Sequence, residues 1–234
     1  MNRLTTSVVV AAALAAGACT DLSQRWELDH ARVLAVRLSS PGLAPGEAAT
    51  VDALVSDATG TPALATPTLV AEVGASGAVA VAAAPGGWTV TAGDAAAIAA
   101  ARTAAGLTAD QPLDVTLGAQ FVIDGVDLVA TKRVRLGEAI ANPPTPTIAV
   151  DGQVVTDAAT ISGVGTTTLT LGGVTLDDTL AVDWLTSTGA LTNSETASAT
   201  LELVAADPRT GHVVVLVKSD AGGAAWATVA VTAP

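Results

Sequence analysis

Apolar and polar residues alternate along much of the chain after residue 30, which is the pattern of half-buried β-strands. The alternation starts at Leu34, Val36 and Leu38 and is followed by turn-forming residues at 39–42. Beyond residue 146 it returns in several short segments separated by turns. The apolar positions of these segments are Leu169 and Leu171; Leu180, Val182 and Trp184; Ala197, Ala199, Leu201 and Leu203; Val213, Val215 and Val217; and Val229 and Val231. Short strands with regular turns predict an all-β chain built from sandwiches or barrels.

The clearest predicted element is a β-hairpin over residues 113–136. Each of its strands has one apolar face. These apolar positions are Leu113, Val115, Leu117, Ala119, Phe121 and Ile123 in the first strand, and Val126, Leu128, Ala130, Val134 and Leu136 in the second. Asp124-Gly125 lies between them and predicts a two-residue turn, a type that requires positive φ and therefore suits glycine.

One alanine-rich segment interrupts the alternation. Residues 92–106 contain mostly Ala, which has the highest helix propensity of all residues. Asp94 is placed to cap the start of a helix, and Gly106 fits just past its end. We therefore predict one helix near residues 93–105, inserted into a β-sandwich domain that it must pack against to be stable.

The proline-rich segment 141–146 is the best candidate for a linker, because Pro143, Pro144 and Pro146 disfavour helix and interrupt strand pairing. It divides the chain into a β-sandwich domain at 31–140, which carries the helix, and a second β-sandwich domain at 147–234. Residues 19–30 are polar apart from Cys19, one Trp and two Leu, and they predict a short tether or a lead-in strand.

The first 18 residues have the form of a signal peptide. Arg3 supplies a positive charge, the apolar stretch 8–18 is too short to span a bilayer, and small residues follow. The run Leu14-Ala15-Ala16-Gly17-Ala18-Cys19 resembles the lipobox of bacterial lipoproteins, with Ala16 where that motif prefers Leu. The resemblance implies cleavage before Cys19 and attachment of acyl chains to its thiol. Ordinary secretory cleavage after an A-x-A pattern is the alternative.

The lipobox resemblance also implies a location. In Gram-negative lipoproteins an Asp directly after the lipidated Cys favours retention in the inner membrane, and Thr20 stands in that place here. We therefore expect an outer-membrane lipoprotein, periplasmic or surface-exposed, whose membrane contact is the lipid anchor at Cys19. The chain has no other Cys, so a disulfide framework is not expected.

The closing segment of the chain resembles a known domain family. Two alternating strands flank Asp220-Ala221-Gly222-Gly223, as in the closing hairpin of PKD-like and other bacterial immunoglobulin-like domains. Trp184 stands where such domains place their core Trp, but the Cys pair and the corner Tyr are absent. The resemblance covers residues 146–234. The chain is also similar to uncharacterised envelope lipoproteins of GC-rich Gram-negative bacteria, and it is therefore expected to contain two immunoglobulin-like sandwiches.

Composition limits the chemistry that the chain can perform. With 22 Asp and Glu against 10 Lys and Arg, the net charge of −12 disfavours nucleic acid as a partner. The two histidines, His30 and His212, lie in separate regions and predict neither a zinc site nor a base for a nucleophile. We expect no cofactor, no metal and no catalytic residues.

Two groups of charged residues allow more than one functional interpretation. Asp177, Asp178 and Asp220 lie in predicted turns, and Asp183 directly precedes Trp184. These carboxylates favour turn chemistry, with calcium binding or glycoside hydrolysis as alternatives. Lys132, Arg133 and Arg135 favour a solvated or edge-protecting patch, with contact to acidic headgroups or to the other domain as the alternative.

Trp226 lies on the face opposite Val229 and Val231 if the alternation is regular. It is expected to reach a core through a nearby irregularity, or else to pack against the first domain or a partner. The expected function is a lipid-anchored envelope protein that acts as a non-enzymatic structural or interaction module, with an envelope protein or glycan as partner. The alternative is a protein that binds or hydrolyses carbohydrate or peptidoglycan with loop carboxylates.

Overall fold

The computed structural model describes residues 24–234, in which a single helix accompanies 18 strands. The helix is α1 (Ala95–Ala104). The strands up to residue 136 are β1 (Arg32–Leu38), β2 (Gly42–Leu43), β3 (Ala48–Ser56), β4 (Pro62–Ala65), β5 (Leu69–Val73), β6 (Val79–Ala84), β7 (Gly87–Ala92), β8 (Leu113–Ile123) and β9 (Val126–Leu136). The later strands are β10 (Thr147–Val150), β11 (Gln153–Val155), β12 (Ala158–Thr160), β13 (Gly165–Gly172), β14 (Leu180–Thr186), β15 (Ala190–Thr192), β16 (Ser198–Leu203), β17 (Thr210–Ser219) and β18 (Ala224–Thr232). The prediction of an all-β chain with one helix is confirmed.

The predicted signal peptide 1–18 and the predicted lipidation site Cys19 lie outside the described residues. Across residues 24–234, α1 is far too short to cross a bilayer, and no other helix is present that could do so.

Strands β1 to β9 form what we call the first sandwich. One sheet has the order β1-β3-β7-β6, with β4 added beside β3, and the facing sheet has the order β2-β9-β8-β5. Their inward-facing side chains make one core, in which Leu38, Val90, Leu117 and Phe121 are almost completely buried. The alternation in each strand thus supplies one apolar face to this core and one face to its exterior.

Strands β10 to β18 form the second sandwich in the same way. The sheet β11-β10-β13-β16-β15 faces the sheet β12-β18-β17-β14. Trp184 on β14 is fully buried in the core between them, and its indole N–H donates to the carbonyl of Thr196 at 2.9 Å. The position of Trp184 agrees with the core Trp that the family resemblance implies.

The two sandwiches share one strand order. In the first, β1-β3-β7-β6 faces β5-β8-β9, and in the second, β10-β13-β16-β15 faces β14-β17-β18. This is the immunoglobulin arrangement of four strands against three, and in both sandwiches a further short strand pairs in parallel with the last one. The two cores fall on either side of residues 141–146, which belong to no strand.

The predicted hairpin is confirmed in position, turn and facing. Strands β8 and β9 pair from Leu113 with Leu136 to Ile123 with Val126. Asp124 and Gly125 have φ of 51° and 78°, as a turn with two positive φ values requires.

The predicted helix is confirmed as α1, and its cap has the expected geometry. The Asp94 side chain accepts from the Ala97 N–H at 2.8 Å, and Gly106 follows the helix with φ of 70°. Only Ile98 and Ala101 are buried against the first sandwich, so the helix has a small contact area and depends on its cap.

Replacing Asp94 with Ala should lower the stability of the helix by about 1 kcal/mol, because the backbone N–H of Ala97 loses its acceptor. Amide hydrogen exchange in the first two turns of α1 should then become about fivefold faster. Asp94→Asn keeps an accepting oxygen and is expected to retain most of the protection. Equal exchange rates in Asp94→Ala and the parent would contradict this role of the cap.

The end of the predicted tether is fixed in place. The Leu28 N–H donates to the Thr186 carbonyl at 2.8 Å, and the Thr186 N–H donates to the Trp26 carbonyl at 2.9 Å, which adds a short bridge to the edge of β14. Arg25 forms ion pairs with Asp183 and Glu195 at 2.9 Å and 2.6 Å. Residues 25–28 therefore lie against the second sandwich before the chain enters β1 of the first.

Candidate functional site

The two sandwiches meet through a third apolar cluster, which we call the joint. Its buried members are Leu28, Leu34, Ala35, Leu54, Leu185, Val214 and Leu216, and the half-buried Trp226 packs against them. These residues belong to β1 and β3 of the first sandwich, to β14, β17 and β18 of the second, and to the segment before β1. The outer face of the β14-β17-β18 sheet is thus covered by the same chain.

Strand β17 shows why this face needs a cover. Val213, Val215 and Val217 point into the second core, whereas Val214 and Leu216 point the other way, and all five are almost fully buried. An unbroken apolar run of this kind is typical of a strand that is buried on both faces. The sequence therefore carried a signal for the joint that alternation alone does not reveal.

Trp226 lies in the joint and in neither core, so the prediction that it reaches a core through an irregularity is wrong, and the alternative of packing against the first sandwich is the arrangement found. Trp226 occupies the face opposite Val229 and Val231, as regular alternation requires. The guanidinium carbon of Arg37 lies 4.1 Å from the centroid of its ring, and Asp52 holds that guanidinium with two hydrogen bonds of 3.1 Å and 2.6 Å. The cation–π contact joins β1 of the first sandwich to β18 of the second.

Asn142 in the proline-rich segment connects the two sandwiches through hydrogen bonds. Its side-chain amide donates to the carbonyls of Leu38 and Ser39 at 2.7 Å and 3.1 Å, and its oxygen accepts from the Ala224 N–H at 3.0 Å. Sequence reasoning treated this segment as a spacer and missed Asn142. The only available signal was an amide side chain, with both a donor and an acceptor, among the prolines.

Lys132 corrects the prediction of a solvated basic patch. It stands on the core side of β9, in the same register as Val134 and Leu136, and only 8% of it is exposed. Its ammonium donates to the carbonyl of Gly222 in the β17–β18 turn. The alternative of contact with the other half of the chain is therefore the arrangement found for Lys132.

The surroundings of Lys132 disfavour its charge. The pKa of Lys132 is lowered to about 8, mainly by burial; Asp52 opposes this effect, and the nearby cations Arg133, Arg37 and Lys218 add to it. The amine thus lies near its titration point at slightly alkaline pH.

Gly222 allows the second sandwich to approach β9 closely. Its φ is 89°, and a Cβ at this position would lie only 2.8 Å from the carbonyl oxygen of Arg133. Any larger residue would therefore push the turn away from Lys132.

A cleft of about 500 Å³ opens beside this contact. Its walls are residues 33–36 of β1, residues 130–133 of β9 and the turn between β17 and β18. Lys132, Arg133 and Lys218 supply three cations, while the β1 wall supplies apolar side chains. The Lys218 ammonium is 2.7 Å from an Asp183 oxygen, and Arg133 is 3.7 Å from an Asp114 oxygen.

The two histidines lie in different surroundings. His30 is exposed and forms a 2.5 Å contact with the adjacent Asp29 carboxylate. His212 is half-buried, and burial lowers its pKa while Asp57 opposes this effect. Ser187 is nearby, but its hydroxyl oxygen accepts from the backbone N–H of His212 and not from the imidazole.

Two of the four carboxylates considered for calcium or hydrolysis, Asp177 and Asp183, serve a turn and ion pairs. One Asp177 oxygen accepts from the N–H and the hydroxyl of Thr179 at 2.8 Å and 2.6 Å, which lowers the pKa of Asp177. Asp183 is paired with Arg25 and Lys218. Across residues 24–234, no three side chains of the metal-binding types gather in one place.

Comparison with known proteins finds no related sequence and only solved structures of low similarity. The sequence matches no protein-family model and has no significant match among curated proteins. Among solved structures, the Ig1-2 module of the Drosophila receptor protein tyrosine phosphatase DLAR is 10% identical, over 88% of this chain and 99% of that one, with a TM-score of 0.30. The fibronectin(III)-like modules of Clostridium thermocellum CbhA are 13% identical, over 85% and 94%, with a TM-score of 0.26.

A further neighbour is a nucleoside hydrolase-related hypothetical protein from Saccharophagus degradans, with 17% identity and a TM-score of 0.31. The match covers 40% of this chain and 26% of that protein. None of these overlaps carries an argument about function. The strand order and the joint define the class of this chain: immunoglobulin-like β-sandwiches packed side by side.

Proposed function

We propose that this chain is a lipid-anchored protein of the bacterial outer membrane and acts as a non-enzymatic structural or interaction module. The observation that carries the proposal is Cys19, the only cysteine of the chain, which directly follows the small residues Ala16, Gly17 and Ala18. Acyl chains on this thiol would hold the protein at the membrane without a spanning helix.

The arrangement of the sandwiches supports a role in interaction or support rather than in catalysis. The joint, the Arg37–Trp226 contact and the Asn142 hydrogen bonds link the two sandwiches at separate points. These contacts restrict the relative motion of the two sandwiches, which suits a spacer or a platform for an envelope protein or glycan. Of the carboxylates considered for hydrolysis, Asp177 is bound in a turn and Asp183 in ion pairs.

Cys19→Ser should release the chain from membranes, because serine does not accept the thioether-linked lipid. Fractionation of cells should place the parent in the outer-membrane fraction and the variant in the soluble fraction. Mass spectrometry of the parent should show acyl chains on the fragment that begins at Cys19. Thr20→Ser is the matched control and should remain membrane-bound.

Persistent membrane attachment of Cys19→Ser would overturn the lipid anchor. An unmodified thiol on Cys19 in the membrane-bound parent would overturn it as well.

A further inference from the structure

We propose that the cleft between the two sandwiches is a binding site for a small organic carboxylate, whose charged group lies between Lys132 and Lys218 and whose apolar part lies along β1. Ligand binding in the cleft does not depend on membrane attachment through Cys19. One of these two proposals can therefore be wrong while the other is right.

The charges of the cleft favour an anionic ligand. The chain as a whole is strongly acidic, yet Lys132, Arg133 and Lys218 line this one cleft together. Asp183 pairs with Lys218, and Asp114 stands near Arg133, so two of the three cations already have a carboxylate. The ammonium of Lys132 makes a hydrogen bond to the neutral carbonyl of Gly222. One positive charge therefore remains without a direct counter-ion, which fits a monoanion better than a dianion such as phosphate.

The residues around that charge keep hydrogen-bond donors that a carboxylate could accept from. An ammonium has three N–H donors, of which the Gly222 carbonyl takes one from Lys132. Ser219 lines the cleft beside Lys218, and its oxygen accepts from the Gly223 N–H at 2.8 Å, which leaves its own hydroxyl hydrogen available to a ligand. Donors from β9 and β17 thus converge on the cleft from both sandwiches.

The apolar wall of the cleft favours a carboxylate that has an apolar part. Val33 on β1 and Ala130 on β9, both half-buried, line the same cleft as the cations, and behind them Leu34 and Val36 are buried in the joint and the first core. A volume of about 500 Å³ lies within the range of small-molecule sites, which combine apolar walls with a few polar groups. An aliphatic or aromatic carboxylate would use both halves of this surface, whereas acetate or an inorganic anion would use only one.

The electrostatic surroundings of Lys132 add a pH dependence. Its charge is opposed by Arg37 on β1, Arg133 on β9 and Lys218 on β17, and supported by Asp52 on β3. A bound carboxylate would supply a second negative charge and favour the protonated amine. Since the pKa of Lys132 is about 8, affinity for the anion should fall about tenfold between pH 7 and pH 9.

The test is calorimetric titration of the purified full-length chain with hexanoate, acetate and inorganic phosphate at pH 7 and constant ionic strength. We expect saturable binding of hexanoate, binding of acetate that is at least about tenfold weaker, and no saturable binding of phosphate. Lys132→Met and Lys218→Met should each weaken hexanoate binding about tenfold, since each removes a charged hydrogen bond. Lys132→Met should also abolish the loss of affinity between pH 7 and pH 9.

Arg209→Gln is the matched control, because it removes a positive charge from an exposed residue outside the cleft lining and should leave binding unchanged. Lys218→Met keeps the test valid if Lys132→Met does not fold, because the Lys218 side chain is 42% exposed. The proposal is overturned if hexanoate does not bind, if phosphate binds more tightly than hexanoate, or if hexanoate affinity is the same in both lysine variants as in the parent.

Discussion

The free energy of unfolding should rise by about 3 kcal/mol as the pH increases from 8 to 10.5, opposite to the alkaline destabilisation common among proteins. The cause is Lys132, whose pKa is about 8 in the folded chain against 10.5 for a free lysine. Between these values the unfolded chain binds a proton that the folded chain has released, so the folded state gains stability as pH rises. Each unit of difference corresponds to about 1.4 kcal/mol.

The composition of the chain makes this effect unusually easy to isolate. Tyr, Cys and Lys are the side chains that ordinarily titrate between pH 8 and 10.5. This chain has no Tyr, one Cys and only two Lys, namely Lys132 and Lys218. Urea unfolding, followed by tryptophan fluorescence at intervals across this range, measures the effect directly.

Lys132→Met supplies the decisive comparison. Methionine keeps an unbranched side chain of similar size but has no proton to release, so the stability of this variant should be constant from pH 8 to 10.5. Lys218→Met removes the other lysine and should keep the rise of the parent. A rise that persists in Lys132→Met would assign the effect to another group.

Leu216→Asp should separate the two sandwiches without unfolding either. Leu216 is 2% exposed and points into the joint, away from the core that Val215 and Val217 fill. A carboxylate there loses the packing of a leucine and requires hydration, which together cost about 3 kcal/mol or more while the sandwiches remain together. Opening the joint relieves this cost, because the carboxylate then reaches water.

Small-angle scattering should therefore show a larger radius of gyration for Leu216→Asp, and thermal unfolding should divide into two transitions. Circular dichroism should show that its strand content is unchanged. Leu64→Asp is the matched control, because Leu64 is 70% exposed on β4 and the same substitution there should alter none of these properties. An unchanged radius of gyration in Leu216→Asp would mean that the remaining contacts hold the sandwiches together without the joint.

The sequence was sufficient to predict the elements that depend on residues close together in the chain. The Asp124-Gly125 turn and the alternation on either side of it defined β8 and β9 to the residue, because register follows from the turn. Asp94 and Gly106 marked the ends of α1 for the same reason, since caps depend only on residues one turn away.

The candidate site was less accessible to sequence reasoning, although some of its residues carried signals. Alternation places the large side chain of Trp226 outside the core, although an irregularity that would return it to the core was the favoured prediction and proved wrong. Lys132 has the parity of the apolar positions in β9, which indicates an inward-facing charge, but its partner Gly222 is 90 residues away. Asn142 and Arg37 carried no comparable signal, because their partners lie in distant strands.

The sequence by itself determined the all-β class, the single helix with its cap and the hairpin of β8 and β9, because each depends on periodicity or turn chemistry within a few residues. Only the tertiary structure decided which strands would cover the outer face of β17, that Trp226 would meet Arg37, and that Lys132 would meet Gly222 beside a cleft. These features arise where two sandwiches meet, and the contact joins strands such as β1 and β18 that are far apart in the chain. The packing of surfaces from distant segments determines how deeply Lys132 is buried between the sandwiches. That burial lowers the pKa of Lys132 and leads to the carboxylate ligand that we propose for the cleft.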